Sequence, residues 1–369
     1  MSRLRVAVLM GGPSPERDVS LRTGQQIMSA LDSQRYDVLP VEVLRDGHWV
    51  LPGRSAATLT AEASSPTGGT GAPGSSAGAS PNDGRALVPA RADALGIDRV
   101  MEEGPIDVVL IAMHGPYGED GTVQGLLELA GIPYTGSGVL ASALAMDKLR
   151  SRQLFGFNDI PVPAYLAVTR ERAADLEALR AEVATTLSYP CVVKPNALGS
   201  SIGVTIVRDP AALDAALDVA FAYGALALVE EFIRGTEITC GVLEDPTTGR
   251  PHALPLIEIV PQREFFTYEA KYTPGASEEI CPARLPEQIA TRAAALAVRA
   301  HEVLGCRDMS RVDMFVRGGQ VIVLEVNTIP GMTGVSLLPQ AARAAGIEFP
   351  ALLDRLITGA LQRRRRSSG

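Results

Sequence analysis

Lysine is nearly missing from this chain. Three lysines, Lys148, Lys194 and Lys271, stand against 31 arginines in 369 residues. Lysine is therefore no general solubilising device here, and each position that keeps one calls for a chemical reason. Cysteine is sparse and scattered: Cys191, Cys240, Cys281 and Cys306 form no Cys-x-x-Cys pair. That spacing suggests neither a zinc site nor a disulfide framework, and is expected of reduced, mostly buried thiols in a cytosolic protein. No apolar run approaches the roughly 20 residues of a membrane helix. The N-terminus enters LRVAVLMGG at once, a strand and glycine turn too short, and without the cleavage pattern, for a signal peptide. Positive charge is not in excess either. The net charge is −8 with no basic face, which speaks against a nucleic-acid partner. An anionic ligand must then rely on local lysines and backbone amides. What is present is apolar residue in quantity, 46%, enough for the cores of two or three domains.

Leu4 to Met10 reads as a buried parallel strand, broken by Gly11-Gly12-Pro13. Ser14-Pro15-Glu16 reads as a helix start, with Asp18 or Ser20 as alternative caps. Tyr36 to Leu44 is a second strand and Ile106 to Ala112 another, the latter ending in His114-Gly115. Strand–helix alternation through residues 1–146 predicts an α/β domain with an open parallel sheet, whose ligands lie at the carboxyl ends of its strands. Glu16 and His114 both fall at such ends. Residues 54 to 84 differ sharply, with the run SSPTGGTGAPGSSAGASPNDG. They cannot bury enough apolar surface to offset ordering entropy. The stretch 54–95 is expected to be a mobile surface insertion within the first domain, with no catalytic role. Residues 147–233 read as a small α+β unit. Residues 234–369 carry antiparallel strands, a long loop over 261–283, a helix from Pro286 to Leu304, and an Arg-rich tail, Arg363 to Arg366, expected to fray.

The most informative stretch is 311–334, RVDMFVRGGQVIVLEVNTIPGMTG. Asp313, Glu325 and Asn327 are hard oxygen donors on two strand-like runs joined by Gly318-Gly319. Such donors suit Mg²⁺, which takes one or two carboxylates together with substrate phosphates. Glu325 and Asn327 lie two apart on an extended chain and share a face. The metal reading makes a register prediction. A three-residue loop, Gly318 to Gln320, sets Asp313 opposite Glu325; a two-residue loop without a bulge sets them on opposite faces. Arg311 shares a face with Asp313 and can stabilise developing negative charge, or else simply pair with Asp313.

The loop Asn196 to Ser201, including Ser200 and Ser201, lies between two strands, and its glycine, hydroxyls and amides can cradle phosphate. The alternative is a plain hairpin. It is neither a Walker A motif nor a dinucleotide fingerprint. Lys194 interrupts the apolar strand CVVKP just before it, and Lys148 stands in Met146-Asp147-Lys148. Each alone could be a solvated lysine, yet all three lysines fall in candidate site segments. Glu230-Glu231-Phe232 ends another strand, and Glu237 follows. These acids are either solvated charge or a hinge offering backbone groups to a purine, with Glu237 accepting from ribose. His114 has the bland alternative of a satisfied histidine at a strand terminus. No Ser–His–Asp or Cys–His arrangement is persuasive, so covalent enzyme catalysis is not expected.

Taken together, GGPSPERDVSL, HGPYGEDGTVQGLLELAGIPYTGSGVLASALAMDK, VVKPNALGSSIGV, YEAKY, RVDMFV and LEVNTIPGMTGVSLLPQ resemble the D-alanine–D-alanine ligases of the ATP-grasp superfamily. The likeness spans nearly the whole chain except 54–95 and the tail. It implies a three-domain ATP-grasp architecture, divided near 1–146, 147–233 and 234–369, with ATP gripped between the second and third domains and 261–283 as a closing loop. It implies ATP as a substrate, two Mg²⁺ or Mn²⁺, D-alanine as the amino acid, no membrane insertion, and a cytoplasmic homodimer that serves peptidoglycan precursor synthesis.

By matching motif positions, the resemblance implies that Glu16 receives the first D-alanine's ammonium, with His114 nearby. Lys148, Lys194 and Lys271 touch phosphate, and Ser200 and Ser201 lie in the phosphate loop. Glu230, Glu231, Phe232 and Ile233 form the adenine hinge and Glu237 holds ribose. Asp313, Glu325 and Asn327 ligate metal. Arg311 and the Gly331 amide stabilise the tetrahedral intermediate. Ser336 and Leu337 hold the second carboxylate, and Ser200 and Tyr272 latch the loop with Glu16. Tyr272 implies D-alanine as second substrate, where phenylalanine goes with D-lactate. A rival reading is another ATP-grasp carboxylate–amine ligase with a different acceptor. A regulatory protein that has lost chemistry, or a Rossmann-type oxidoreductase, would lack the intact metal, lysine and arginine set or would carry the missing fingerprint.

Overall fold

The computed structural model describes residues 3–51, 96, 100, 102, 104–261 and 277–367. Three β-sheets, each backed by helices, make up the described chain. The first contains β1 (Leu4–Gly11), β2 (Tyr36–Val43), β3 (Trp49–Val50) and β4 (Val108–Ile111) in the order β3-β2-β1-β4. β1 runs parallel to β2 and β4, and only the short β3 is antiparallel. Alternation along β1 sends Val6, Val8 and Met10 into a core with Leu353 and Leu356 of the last helix, α10 (Phe349–Ser367). Ala7 and Leu9 face Val123 and Leu127 of α2 (Thr122–Leu129) instead. A parallel sheet must be covered on both faces, and the near-continuous apolar run of β1 reflects that.

The helix α1 (Arg17–Ala30) departs from expectation at its start. Its N-cap position is Glu16, not Ser14, Asp18 or Ser20. The Ser14 hydroxyl accepts from the Glu16 amide, and Ser20 instead bridges β1 to β4, accepting from Gly11 N at 2.8 Å and donating to Ala112 O at 2.7 Å. Helices α3 (Val139–Met146) and α4 (Lys148–Phe157) lead to the second sheet. It comprises β5 (Tyr165–Thr169), β6 (Cys191–Pro195), β7 (Thr205–Val207) and β8 (Leu226–Glu231), all antiparallel in the order β5-β8-β6-β7. After α5 (Arg170–Ala173), α6 (Leu176–Thr186) and α7 (Leu213–Phe221) cover it, Leu179, Val183, Leu213 and Leu217 packing on Val193 and Val229.

The third sheet holds β9 (Thr236–Glu244), β10 (Pro251–Ala253), β11 (Ile257–Pro261), β12 (Ser277–Ile280), β13 (Met309–Arg317) and β14 (Gln320–Asn327). Helix α8 (Glu287–Leu304) lays Ala293, Ala297, Ala300 and Leu304 on Val312, Met314 and Val323. The segment expected to be loop from 261 to 283 therefore contributes a strand, since β12 pairs antiparallel with β11. α9 (Leu337–Ala344) precedes α10.

The Arg-rich tail is helical rather than frayed, because one arginine has a buried partner. Asp308 is buried and accepts from the Gly136 amide at 2.7 Å and from Arg363 Nη2 at 2.8 Å, while the same nitrogen donates to Tyr134 O at 3.0 Å. This contact joins the first sheet's last connection to the third sheet. Removing one partner of such a pair strands a buried charge. Arg363→Met is expected to lower stability by about 3 kcal/mol, read from the denaturation midpoint; a change under roughly 1 kcal/mol, the level of an exposed ion pair, would refute the clasp.

Candidate active site

The hairpin that carries the proposed metal donors meets the register condition with the shorter loop, by adding a bulge. Arg317 pairs with Gln320, so the loop is the two residues Gly318 and Gly319, both at positive φ (57° and 83°). This is the backbone a tight primed hairpin turn requires, and glycine adopts it without cost. Running the ladder back from that turn would put Asp313 opposite Leu324. Instead the register shifts between Asp313 and Met314: Met314 pairs with Val323 but Asp313 with Glu325. Leu324 is the extra residue of a β-bulge. Asp313 and Glu325 are thus brought face to face, as the metal reading demands.

Asp313 is closely tended. Its Oδ1 accepts from Thr239 Oγ1 at 2.6 Å and Arg311 Nε at 2.9 Å; its Oδ2 accepts from Arg311 Nη2 at 2.8 Å and Asn327 Nδ2 at 3.1 Å. The Arg311–Asp313 ion pair raised as the alternative for Arg311 is therefore formed. Lys148 Nζ lies 3.2 Å from Glu325 Oε2 and donates to Leu198 O at 2.7 Å. Among the described residues no three His, Cys, Asp or Glu gather. The set is two carboxylates and one amide, hard oxygens of the kind that suit a small divalent cation whose remaining positions go to phosphate and water.

Two clefts meet at this hairpin, sharing Gly199, Glu237, Ile259 and Asp313. The first, of about 460 Å³, lies between the second and third sheets and is lined by Lys148, Lys194, Ser201, Glu230, Glu231, Phe232, Ile233, Glu237, Phe315 and Glu325 among others. Lys194 Nζ sits 2.8 Å from Glu230 Oε2. Burial pulls the Lys194 ammonium down to about 8, with Glu230 opposing the fall. The Glu231 carboxylate turns away to Arg317 and the Ala164 amide. Both glutamates of the candidate hinge thus have their side chains committed, and what remains for a ligand there is backbone. Ser200 and Ser201 both hold positive φ, 53° and 58°, unusual for residues with a Cβ.

The second cleft, about 990 Å³, opens towards the first sheet and is lined by Glu16, His114, Glu119, Ser200, Arg311, Asn327, Gly331, Ser336 and Leu337 among others. Ser200 Oγ donates to Glu16 Oε1. Gly115, at φ 72°, has no room for a side chain: a Cβ there would lie 2.6 Å from Glu16 Oε2. Likewise a Cβ on Gly331 would meet Ser336 Oγ at 2.8 Å. The Ser336 hydroxyl turns back to Thr333, at 3.0 Å from its amide and 2.7 Å from its hydroxyl, rather than capping α9. The first amides of α9 are a natural anion site.

Family models place the chain. One described as D-ala D-ala ligase N-terminus matches residues 5–137, and one described as D-ala D-ala ligase C-terminus matches residues 154–358. The chain belongs to the D-alanine–D-alanine ligase family. It is 45% identical over 364 residues to the D-alanine–D-alanine ligase of Syntrophobacter fumaroxidans, covering 98% of both chains. The D-alanine–D-alanine ligase from Bacillus anthracis complexed with ATP superposes with a TM-score of 0.73 at 32% identity, over 99% of each chain. The VanG D-Ala:D-Ser ligase from Enterococcus faecalis gives 0.74 at 30% identity, over 96% of this chain and 99% of that one.

Within this ligase fold, every candidate residue that the structure describes lines one of the two clefts or their junction. Lys271 and Tyr272, like the insertion at 54–95, lie outside the described residues. Two groups went unassigned in the sequence. Glu119 is half-buried beside Glu16 and accepts from the Gly115 amide at 2.7 Å. Burial, then the Glu16 charge, push its carboxyl well above the usual range. Its signal was visible as the first acid of GEDG, but nothing local distinguished it from the exposed-looking Asp120. The other is Arg152, considered below. His114 donates or accepts at 3.2 Å from Thr23 Oγ1, and burial lowers it to about 4, so it is neutral at physiological pH.

Lys194 gives a pH test. A lysine near 8 is charged below that pH and loses its charge as pH rises through it. Second-order turnover of ATP by the free protein is expected to fall above about pH 8. Glu230→Gln removes the opposing charge, so the limb moves to lower pH; a limb that stays put would show that another group sets it.

Proposed function

We propose that this chain joins two D-alanines into D-alanyl-D-alanine at the expense of ATP, in the cytoplasm, for peptidoglycan precursor synthesis. The observation that carries this reading is the meeting of two clefts at Asp313: one lined by two lysines and a backbone hinge, the other by Glu16, Arg311 and a helix start. One cleft suits a triphosphate and the other an amino acid zwitterion.

In the proposed reaction, ATP lies in the smaller cleft. Lys148, Lys194 and Lys271 meet its phosphates as point charges, and the Ser200–Ser201 loop offers hydroxyls and amides. The backbone of Glu230 to Ile233 meets adenine and Glu237 the ribose. Asp313, Glu325 and Asn327 would hold two Mg²⁺ or Mn²⁺, which supply charge neutralisation at the transferring phosphoryl group. The first D-alanine sits in the larger cleft with its ammonium at Glu16 and the neutral His114 nearby. Its carboxylate oxygen attacks the γ-phosphorus, the bond to ADP breaks, and an acyl phosphate forms. The amine of the second D-alanine, having lost a proton, attacks the acyl carbon. Arg311 and the Gly331 amide hold the developing oxyanion, and inorganic phosphate departs. Ser336 and Leu337, at the N-terminus of α9, hold the second carboxylate. Tyr272, although outside the described residues, is assigned with Ser200 and Glu16 to latch the segment between β11 and β12 over the site, excluding water that would hydrolyse the acyl phosphate.

The division near 146 and 233 is part of the same reading, with each of the three sheets belonging to one domain. So is a homodimer. Leu129 and Leu140, 90% and 72% exposed on the neighbouring helices α2 and α3, offer apolar surface for a second copy. Sedimentation should give a species of twice the chain mass; a monomer at micromolar concentration would remove this part.

Phosphate release from ATP is expected with D-alanine and not with L-alanine or without amino acid. Release only with some other acceptor pair would favour the rival reading, a carboxylate–amine ligase of different specificity, which the likeness to a D-Ala:D-Ser ligase keeps in view. Tyr272→Phe, offered D-alanine and D-lactate as acceptors, is expected to shift towards D-lactate. An unchanged preference would remove Tyr272 from specificity.

A further inference from the structure

One buried cation has no part in the roles above. Arg152, on α4, is 1% exposed and among the largest fully buried side chains described. A guanidinium stays charged at any ordinary pH, and burying it is costly unless it is well partnered. Its partners lie in two directions. Nη1 is 2.5 Å from Glu230 Oε1, and Nη2 donates to Leu324 O at 3.3 Å. The Glu230 carboxylate, itself 3% exposed, holds Lys194 with its other oxygen. Leu324 is the bulge residue on which the pairing of Asp313 with Glu325 depends.

We propose that Arg152 is a positioning residue for metal–nucleotide binding, clamping the Leu324 bulge to the Glu230–Lys194 pair through the two arms of one guanidinium. The inference rests on the ATP-dependent reading above and deepens it. A bulge takes an extra residue's backbone out of the ladder, and those groups need partners elsewhere. Here the Leu324 carbonyl goes to Arg152, and the neighbouring Val323 amide donates to Pro161 O at 2.8 Å. Both partners come from α4 and the segment just after it. Lys148, one helical turn before Arg152 and on the same face, reaches Glu325 directly. α4 thereby grips the bulge and the residue after it with two cations four positions apart. Without the clamp, the ladder is free to relax toward the unbulged register, which turns Glu325 and Asn327 away from Asp313. Lysine cannot replace arginine here, because one ammonium does not span a carboxylate and a carbonyl lying in different directions.

The test is Mn²⁺ binding to the full chain with ADP present, followed by the electron paramagnetic resonance signal of free Mn²⁺. Arg152→Lys keeps the charge and the stem. It is expected to weaken Mn²⁺ binding about tenfold or more, the scale seen when a partner of a metal ligand is lost, with the melting temperature of the ligand-free protein and the KM for D-alanine little changed. Should that variant not fold, the double change Arg152→Gln with Glu230→Gln replaces the buried ion pair by amides and is expected to show the same loss. A folded variant of either kind that binds Mn²⁺ within twofold of the parent overturns the proposal and leaves Arg152 a core ion pair. Failure of the ligase reading shows differently, in the unaltered chain, as absence of D-alanine-dependent phosphate release.

Discussion

Two carboxylates facing one another across a strand pair repel, and the site is built around that repulsion. Asp313 and Glu325 stand directly opposite, a placement that destabilises a sheet when nothing compensates. Arg311 forks onto Asp313 and Lys148 stands beside Glu325. Thr239 and Asn327 add hydrogen bonds to Asp313. The pocket is thus strongly polar before any ligand enters. Divalent cations and a polyphosphate can take over this charge balance, releasing Arg311 and Lys148 to act on the substrate. In the proposed reaction these same two cations, Arg311 and Lys148, act on the substrate.

The same logic extends outward. Glu230 is shared between Lys194 and Arg152, and Glu231 is held by Arg317. Glu16 accepts from Ser200, and desolvation and then the Glu16 charge raise the Glu119 carboxyl above the usual carboxylate range. Asp313, Glu325, Glu230 and Glu231 each face a cation, while Glu16 accepts from a hydroxyl. The two described lysines of the cleft are thus held in ion pairs with Glu325 and Glu230, in a chain with only one other lysine. The sheets that carry these groups are tied together far from the chemistry, by Asp308 and Arg363 and by the core that α10 shares with the first sheet.

Much of this could be read along the chain. The scarcity of lysine pointed at Lys148 and Lys194, the strand-borne Asp313, Glu325 and Asn327 pointed at the hairpin where the two clefts meet, and the buried run of β1 announced a parallel sheet. These features are local: they depend on residue type against a periodic background. The misreadings were also local in origin. Ser14 and Ser20 have the composition of helix caps, yet Ser20 is drawn to β4, a strand some ninety residues away. The arginine tail looks soluble and frayed until Asp308 supplies a buried partner. Residues 277–280 looked like loop because a short edge strand exists only where β11 offers it a ladder.

The order and spacing of its motifs alone determined that this chain is a ligase of the D-alanine–D-alanine family, since residue identity at fixed separations is a property of the strand of letters. Only the folded molecule decided how Asp313 came to face Glu325. Parity along a two-residue turn forbids it, and one bulged residue, held by an arginine from a distant helix, restores it. Which partner a buried charge finds depends on what the tertiary structure brings within hydrogen-bonding reach, and no window along the chain contains that information.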